Sequence, residues 1–191
     1  MTESQQPPAG DLGVDGPDHR RTERLVLDRV ELADVDGWHQ IHADPRVWTH
    51  FPSGRHTAVE ATERLVEASI EDWRTAGLGY WSVREQPGGP IVGCGGCRPV
   101  PDTGRWNLYY RFSPEQQGRG YASELARVAV VAANEADMAW PVVAIMLEHN
   151  VGSWRVAEKI GLTRIWVGRD EGNPDRTAVR YVYADRPDVS L

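Results

Sequence analysis

The 191-residue sequence is short of cysteine and contains no long apolar run. Cys94 and Cys97 are its two cysteines, too few for a disulfide framework or a four-ligand zinc site, so we predict reduced thiols with a structural role. The most apolar stretches, residues 125–133 and 142–147, fall well short of the roughly 18 residues that a membrane-spanning helix needs. These absences favour a cytoplasmic protein that does not act at a membrane.

The first 21 residues have neither the basic segment nor the apolar segment of a signal peptide. They are rich in Gly, Pro and Asp, a composition typical of a disordered tail, and we expect such a tail over residues 1–21. Residues 22–187 are enough for one domain built around one hydrophobic core.

Positive charge is also scarce, because 21 Lys and Arg face 28 Asp and Glu and the net charge is −7. This balance argues against nucleic acid as a partner, since nonspecific binding to phosphates needs a basic surface. A cationic partner or an amine substrate would be tolerated.

Apolar periodicity predicts a mixed α/β domain. The expected order is a strand, two helices, three strands, a helix, a strand, a helix and a closing hairpin. The last of the three consecutive strands spans residues 105–112, and the helix that follows it spans residues 121–133. The continuous apolar run 141–148 is typical of a strand covered on both faces.

A glycine-rich turn, SPEQQGRG (113–120), leads directly into the helix that begins at Tyr121. Glycine lets the backbone turn tightly and lets a ligand approach closely. The first N–H groups of a helix lack internal acceptors and carry about half a positive charge, so they suit a pyrophosphate. Arg119 could add a charge-assisted bond, and small Ala122 and Ser123 leave room.

Three interpretations of this turn compete. The first is a loop that merely needs glycine. The second is the dinucleotide fingerprint G-x-G-x-x-G/A, which Gly118, Gly120 and Ser123 match imperfectly, and which normally follows the first strand of a βαβ unit rather than lying late in the chain.

The third interpretation rests on a resemblance. Gln117 to Ala122 resembles Q/R-x-x-G-x-G/A, the acyl-coenzyme A pyrophosphate motif of the GNAT N-acetyltransferases. The segments LYYRFSPEQQGRGYASEL and NVGSWRVAEKIGL (150–162) resemble corresponding segments of the RimJ/RimL-like ribosomal-protein acetyltransferases, and the opening TERLVLDRVELAD resembles their first strand. The likeness covers about residues 22–187, and the two motifs in order are more specific than either alone.

The resemblance implies a single GNAT-like domain. Its central sheet would be twisted and mostly antiparallel, with about six to seven strands and helices on both faces. The parallel strands 105–112 and 141–148 would splay apart and hold the pantetheine arm of acetyl-coenzyme A (acetyl-CoA). The implied cofactor-binding residues are Phe112, Gln117, Gly118, Arg119, Gly120, Tyr121, Ala122, Ser123 and Asn150. Asn150 could instead serve only as a helix N-cap, or do both.

The implied reaction is direct attack of a primary amine on the acetyl thioester, and the favoured acceptor is a protein N-terminal α-amine. Ser153 is the family's candidate for assisting the departing thiolate, although its spacing alone is equally that of a surface serine. Many relatives carry a glutamate base where this sequence has Asn107. Glu148, at the end of strand 141–148, is a substitute candidate, or simply a strand-end surface acid. A weak base favours an amine of low pKa.

Other functions stay open at this point. The same fold could acetylate a small-molecule amine or an antibiotic, act as a homodimer, or, because of Asn107, bind coenzyme A as a sensor without turnover. We predict no metal site, because no third ligand is obvious beside His39 and His42. Two groups of residues could line the acceptor pocket or anchor helices: His39, His42, His50 and His56, and Trp38, Trp48 and Trp73.

Overall fold

The apolar runs of the sequence form one eight-stranded sheet in the order β1-β2-β3-β4-β5-β6-β8-β7. The computed structural model describes residues 16–189. The strands are β1 (His19–Arg21), β2 (Val26–Arg29), β3 (Tyr80–Arg84), β4 (Gly93–Val100), β5 (Arg105–Phe112), β6 (Val142–Leu147), β7 (Thr163–Arg169) and β8 (Val179–Ala184). The helices are α1 (Val35–His42), α2 (Val59–Ala76), α3 (Tyr121–Ala136) and α4 (Val151–Lys159).

This architecture confirms the predicted mixed α/β domain with a parallel pair of strands. The sheet has one strand more than the upper end of the expected range, and α3 runs three residues beyond its predicted end at residue 133. None of the helices within the described part of the chain is long and apolar enough to cross a bilayer.

We expected a disordered tail over residues 1–21, and residues 1–15 of this tail lie outside the described residues. Within its last part, β1 pairs antiparallel with β2, with Arg20 opposite Leu27. Arg20 is buried, and its Nη2 lies 2.5 Å from Glu135 Oε2 at the end of α3. These backbone and ion-pair contacts order residues 19–21, so the sheet begins earlier than the composition indicated.

β5 and β6 are the parallel neighbours in this sheet, and their pairing is short. Trp106 lies opposite Val142 and Asn107 opposite Val143, at the start of both strands. Beyond this point β5 stays paired with β4 and β6 stays paired with β8. The two strands therefore diverge, and a V-shaped gap opens between their C-terminal halves.

Two large tryptophans fix the first helices against the sheet. Trp38 is fully buried and donates from Nε1 to Ser82 Oγ at 2.8 Å. Trp73 donates from Nε1 to the carbonyl oxygen of Tyr80 at 2.9 Å. Both side chains serve as core anchors, because buried indole N–H groups need an acceptor.

The CGGC segment of β4 packs tightly against β5. A Cβ at Gly95 would collide with the carbonyl oxygen of Tyr109, so this position needs glycine. Cys94 and Cys97 are free and fully buried, and burial raises the pKa of Cys94 to about 12. A thiol of that pKa is inert at neutral pH.

Candidate active site

A cavity of about 920 Å³ lies where β5 and β6 diverge. Several segments of the chain form its walls. These are residues 46–51, 108–112 of β5, 116–118 of the glycine-rich turn, 120–123 at the start of α3, 144–147 of β6, 149–153 and 155–156 at α4, and Asp170 and Arg180. The gap expected for a pantetheine arm is therefore open and continuous with the turn before α3.

The turn before α3 has the conformation that its glycines permit. Gly118 has a φ of +78° and Gly120, the N-cap of α3, has a φ of +85°, both in the left-handed region that favours glycine. The backbone N–H groups of residues 121–123 have no acceptor within residues 16–189. The helix thus begins with unpaired donors facing a cavity, which suits an anionic group.

A remote ion pair holds this turn, and sequence reasoning missed it. Arg24 Nε donates to Glu124 Oε2 at 2.8 Å, and Arg24 Nη1 donates to the carbonyl oxygen of Arg119 at 2.9 Å. Glu124 does not line the cavity. The ion pair holds the carboxylate of Glu124 away from the unpaired N–H groups of residues 121–123. The bond to the Arg119 carbonyl oxygen also fixes the backbone just before Gly120.

Arg119 does not take the position expected for a phosphate ligand. Its side chain pairs with Glu85 at 2.9 Å, lies 4.8 Å over the ring of Tyr121, and does not line the cavity. Tyr121 also donates to Glu85, at 2.5 Å. The carboxylate of Glu85, which directly follows β3, therefore draws the guanidinium away from the amides of the turn.

Gln117 and Phe112 flank the same turn. Gln117 Nε2 lies 3.4 Å from the carbonyl oxygen of Phe112, and both residues line the cavity. Gly118, Gly120, Tyr121, Ala122 and Ser123 line it as well. Eight of the nine predicted cofactor contacts, all but Arg119, thus line one cavity.

Asn150 caps α4, one of the two roles considered for it. Its Oδ1 accepts from the backbone N–H of Ser153 at 3.3 Å. Ser153 lines the cavity, and its carbonyl oxygen accepts from the hydroxyl of Tyr110 at 3.0 Å. Burial raises the pKa of Tyr110 to about 12, so this hydroxyl keeps its proton at neutral pH. Tyr110 is a site residue that the sequence analysis did not single out.

Glu148 lies outside the cavity. It is exposed, it does not belong to the lining, and its Oε1 accepts from Tyr181 at 2.7 Å. β6 has ended one residue earlier, so the side chain projects towards β8 and solvent. Of the two interpretations of Glu148, the structure favours the strand-end surface acid over the base.

The side chains of β5 alternate between two faces, and the two faces belong to different compartments. Tyr110 and Phe112 point towards α3 and α4. The ring of Phe112 lies 6.1 Å from the ring of Tyr121 at a tilted angle, and Tyr110 donates to the carbonyl oxygen of Ser153. This side carries the unpaired amides of α3.

Tyr109 and Arg111 point the other way, towards α1 and the segment that follows it. The Tyr109 hydroxyl lies 3.0 Å from Nε2 of His42, and Arg111 Nη1 donates to the carbonyl oxygen of Val47 at 2.6 Å. We call this face of the cavity the α1-side wall, formed by Trp48, His50, Phe51, Tyr109 and Arg111.

His42 is a neutral hydrogen-bond acceptor in this wall. Its Nδ1 lies 2.8 Å from the carbonyl oxygen of Trp38 and therefore carries the proton, which leaves Nε2 to accept from Tyr109. Burial, with a further contribution from the charge of Arg111, lowers the pKa of His42 to about 3. A base of that pKa has almost no tendency to take a proton from an amine.

The four histidines of residues 39–56 separate into two groups. His39 Nδ1 and His56 Nδ1 both contact Thr62 Oγ1, at 2.9 and 2.8 Å, and His42 stacks on His56. His50 lines the cavity, and burial together with Arg111 lowers its pKa to about 4. Within residues 16–189 no three His, Cys, Asp or Glu side chains are placed to hold one metal ion.

The cavity is cationic although the chain is acidic. Arg46, Arg111, Arg155 and Arg180 line it, and Asp170, which pairs with Arg180, is the one carboxylate that lines it among the described residues. Together with the α3 amides, this charge fits a ligand that bears several phosphates.

Comparisons with known proteins agree with this geometry. The family model of the acetyltransferase (GNAT) domain matches residues 24–163. Uncharacterized protein YkkB of Bacillus subtilis (strain 168) is 25% identical over 147 residues, covering 73% of this chain and 84% of YkkB.

Solved structures share the fold. An acetyltransferase from Agrobacterium tumefaciens str. C58 is 26% identical, with a TM-score of 0.70 over 92% of this chain and 99% of its own. RimL, a ribosomal L7/L12 alpha-N-protein acetyltransferase in complex with coenzyme A, is 19% identical, with a TM-score of 0.69 over 85% of this chain and 94% of its own. Since the family model spans most of the chain, the chain belongs to the GNAT family of acetyltransferases.

Proposed function

We propose that this acetyltransferase modifies an α-amine, in the first place the N-terminus of a protein, as the RimJ/RimL-like enzymes do. The observation that carries the proposal is the alternation of β5. One face of this strand meets the free amides of α3, and the opposite face forms the α1-side wall. Cofactor and acceptor thus have separate approaches to one gap.

The cofactor side would be held mainly by backbone groups. The N–H groups of residues 118–123 would hold the pyrophosphate, with Gln117 and the small side chains of Ala122 and Ser123 beside it. The edge of β5 near Phe112 and the cap residue Asn150 would hold the pantetheine arm. When bound, acetyl-CoA supplies the acetyl group as an activated thioester.

Two hydroxyl groups are near enough to each other to assist the departing sulfur. Ser153 lines the gap, and a side-chain hydrogen bond links it to the Tyr110 hydroxyl. Tyr110 is tied to the same residue through its carbonyl oxygen at 3.0 Å. Ser153 is our proposed donor of a proton or hydrogen bond to the thiolate, and Tyr110 positions the helix that carries it.

The proposed acceptor follows from the weakness of three candidate bases, Asp170, His42 and His50. Asp170 is already paired with Arg180, and the pKa values of His42 and His50 are low. Nearby guanidinium groups also lower the pKa of a bound amine, because they disfavour its charged form. An α-amine with a pKa near 8 needs about 3 kcal/mol less of this help than a lysine amine near 10.4.

The experiment offers acetyl-CoA and matched peptides to the protein and follows release of free thiol. One peptide has a free N-terminus and no lysine, and its control has an acetylated N-terminus and one lysine. We expect thiol release with the first peptide only. Release with the lysine peptide alone, or with small amines alone, would contradict the protein N-terminus as acceptor. Tight cofactor binding with no release for any amine would indicate a sensor.

A further inference from the structure

A guanidinium group without a carboxylate partner lies in the α1-side wall. Arg111 is 9% exposed, and no Asp or Glu pairs with it within residues 16–189. Burial of an unpaired charge costs free energy. The position therefore calls for an explanation that the cofactor does not supply, because Arg111 points away from α3 and α4.

Three contacts hold this guanidinium in a fixed orientation. Nε donates to the Tyr109 hydroxyl at 2.8 Å, Nη1 donates to the carbonyl oxygen of Val47 at 2.6 Å, and Cζ lies 3.5 Å over the ring of Trp48. The Tyr109 hydroxyl is itself held by His42. The plane of the guanidinium is thus set before any ligand arrives.

One edge of the group stays available. No acceptor of Arg111 Nη2 occurs within the described residues, yet Nη2 is not among the buried polar atoms that lack a partner. It is therefore accessible, and the residue lines the cavity. Parallel N–H groups on a fixed, planar guanidinium match the two oxygens of a carboxylate.

The other arginines that line the cavity either have acidic partners or lie on the side of the proposed phosphate site. Arg46 pairs with Asp44 at 2.6 Å and with Glu115 at 2.9 Å, and Arg180 pairs with Asp170. Arg155 lies on α4, on the same side of β5 as the unpaired amides of α3. Arg111 is thus the cavity-lining arginine that has neither an acidic partner nor a place beside the proposed phosphate site.

We infer that Arg111 binds a carboxylate of the acceptor, so that the preferred substrate is an α-amine with an acidic group close to it. This inference rests on the proposed function. The carboxylate can belong to an Asp or Glu side chain in the first residues of a peptide, or to the α-carboxylate of a free amino acid. The aromatic part of the α1-side wall, formed by Trp48, His50 and Phe51, would then hold the backbone between amine and acid.

The test compares acceptor pairs that differ only in charge. The first pair is a peptide with Asp at its second position and the same peptide with Asn there. The second pair is a free neutral amino acid and its amide. We expect the wild type to prefer one acidic member about 10- to 100-fold in kcat/KM, mostly through KM, as loss of a charge-assisted pair predicts. The pair that shows the preference identifies the source of the carboxylate.

Variants assign that preference to Arg111. Arg111→Gln should bring the acidic-to-neutral ratio close to one, and Arg111→Lys should restore part of it, because the charge returns without the fork. Arg46→Gln is the matched control, since it removes a cavity-lining guanidinium that already has acidic partners, and it should leave the ratio unchanged.

A ratio near one in the wild type, with thiol release from α-amines intact, would overturn the inference and leave the proposed function standing. Release from no α-amine at all would instead contradict the proposed function. If Arg111→Gln does not fold, inhibition of the wild type decides: an N-acetylated acidic peptide should compete with the acceptor more strongly than its Asn counterpart. Equal inhibition by the two would also overturn the inference.

Discussion

The hydroxyl of Tyr110 donates a 3.0 Å hydrogen bond to the carbonyl oxygen of Ser153, which joins β5 to α4 across the gap between the parallel strands. The bond uses the carbonyl oxygen of Ser153, and the Ser153 side chain also interacts with the same hydroxyl. We therefore propose separate roles for the two residues: Tyr110 of β5 fixes the position of α4, and Ser153 of α4 would assist the departing sulfur.

Replacement of Ser153 by alanine should lower kcat about 10- to 100-fold with little change in the Kd for coenzyme A, because a proton donor acts mainly in the transition state. Steady-state kinetics and calorimetric titration of coenzyme A would measure the two effects. Tyr110→Phe keeps the ring but removes the hydrogen bond to the Ser153 carbonyl oxygen, so we expect a smaller loss of kcat. If Ser153→Ala is silent and Tyr110→Phe is strongly impaired, the donor is Tyr110.

Replacement of Gly120 by glutamate should abolish coenzyme A binding, since a carboxylate would stand where the α3 amides receive phosphate. Gly120→Ala is the control for backbone strain. At a φ of +85° alanine costs about 1 kcal/mol of folding free energy, and its Cβ would lie 3.5 Å from Arg24, an ordinary contact. Thermal shift with coenzyme A should therefore persist in the alanine variant and vanish in the glutamate variant. Retained binding by Gly120→Glu would place the phosphates elsewhere.

Local patterns predicted the parts of this site that local chemistry determines. The turn at Gly118 and Gly120 and the cap at Asn150 depend on backbone conformation, which glycine and asparagine select by themselves. The bounds of β5 followed equally from its run of large side chains.

Side-chain direction could not be predicted in this way, because distant partners decide it. Arg119 pairs with Glu85, which is 34 positions away in the sequence, and Arg24 pairs with Glu124, which is 100 positions away. Glu148 misses the gap because β6 ends one residue before it. Arg111 is recognisable as exceptional only once the pairing of the other arginines is known.

The ion pair between Arg24 and Glu124 leads to a prediction about the affinity for coenzyme A. Arg24→Gln removes the donors to Glu124 and to the Arg119 carbonyl oxygen, so the turn before α3 should become less well ordered. We expect the Kd for coenzyme A to rise about two- to fivefold, as for the loss of one exposed ion pair. Arg74→Gln, which breaks the exposed pair with Glu71 on α2, is the control and should leave the Kd unchanged. An unchanged Kd in Arg24→Gln would show that the backbone N–H groups at the start of α3 are ordered without this ion pair.

The buried imidazole of His42 predicts how stability depends on pH. Its pKa is about 3 in the folded protein and near 6.5 in the unfolded chain, so the unfolded state binds more protons between these values. Its contribution is therefore fully present above about pH 6.5 and is lost as the pH falls towards 3, at about 1.4 kcal/mol per pH unit. Urea unfolding at pH 7, 6 and 5 would measure this slope. The charges that face His42 are those of Arg111, His39 and His56. In His42→Gln the slope should be shallower by about the same 1.4 kcal/mol per pH unit, and an identical slope in variant and wild type would show that His42 is not neutralised by folding.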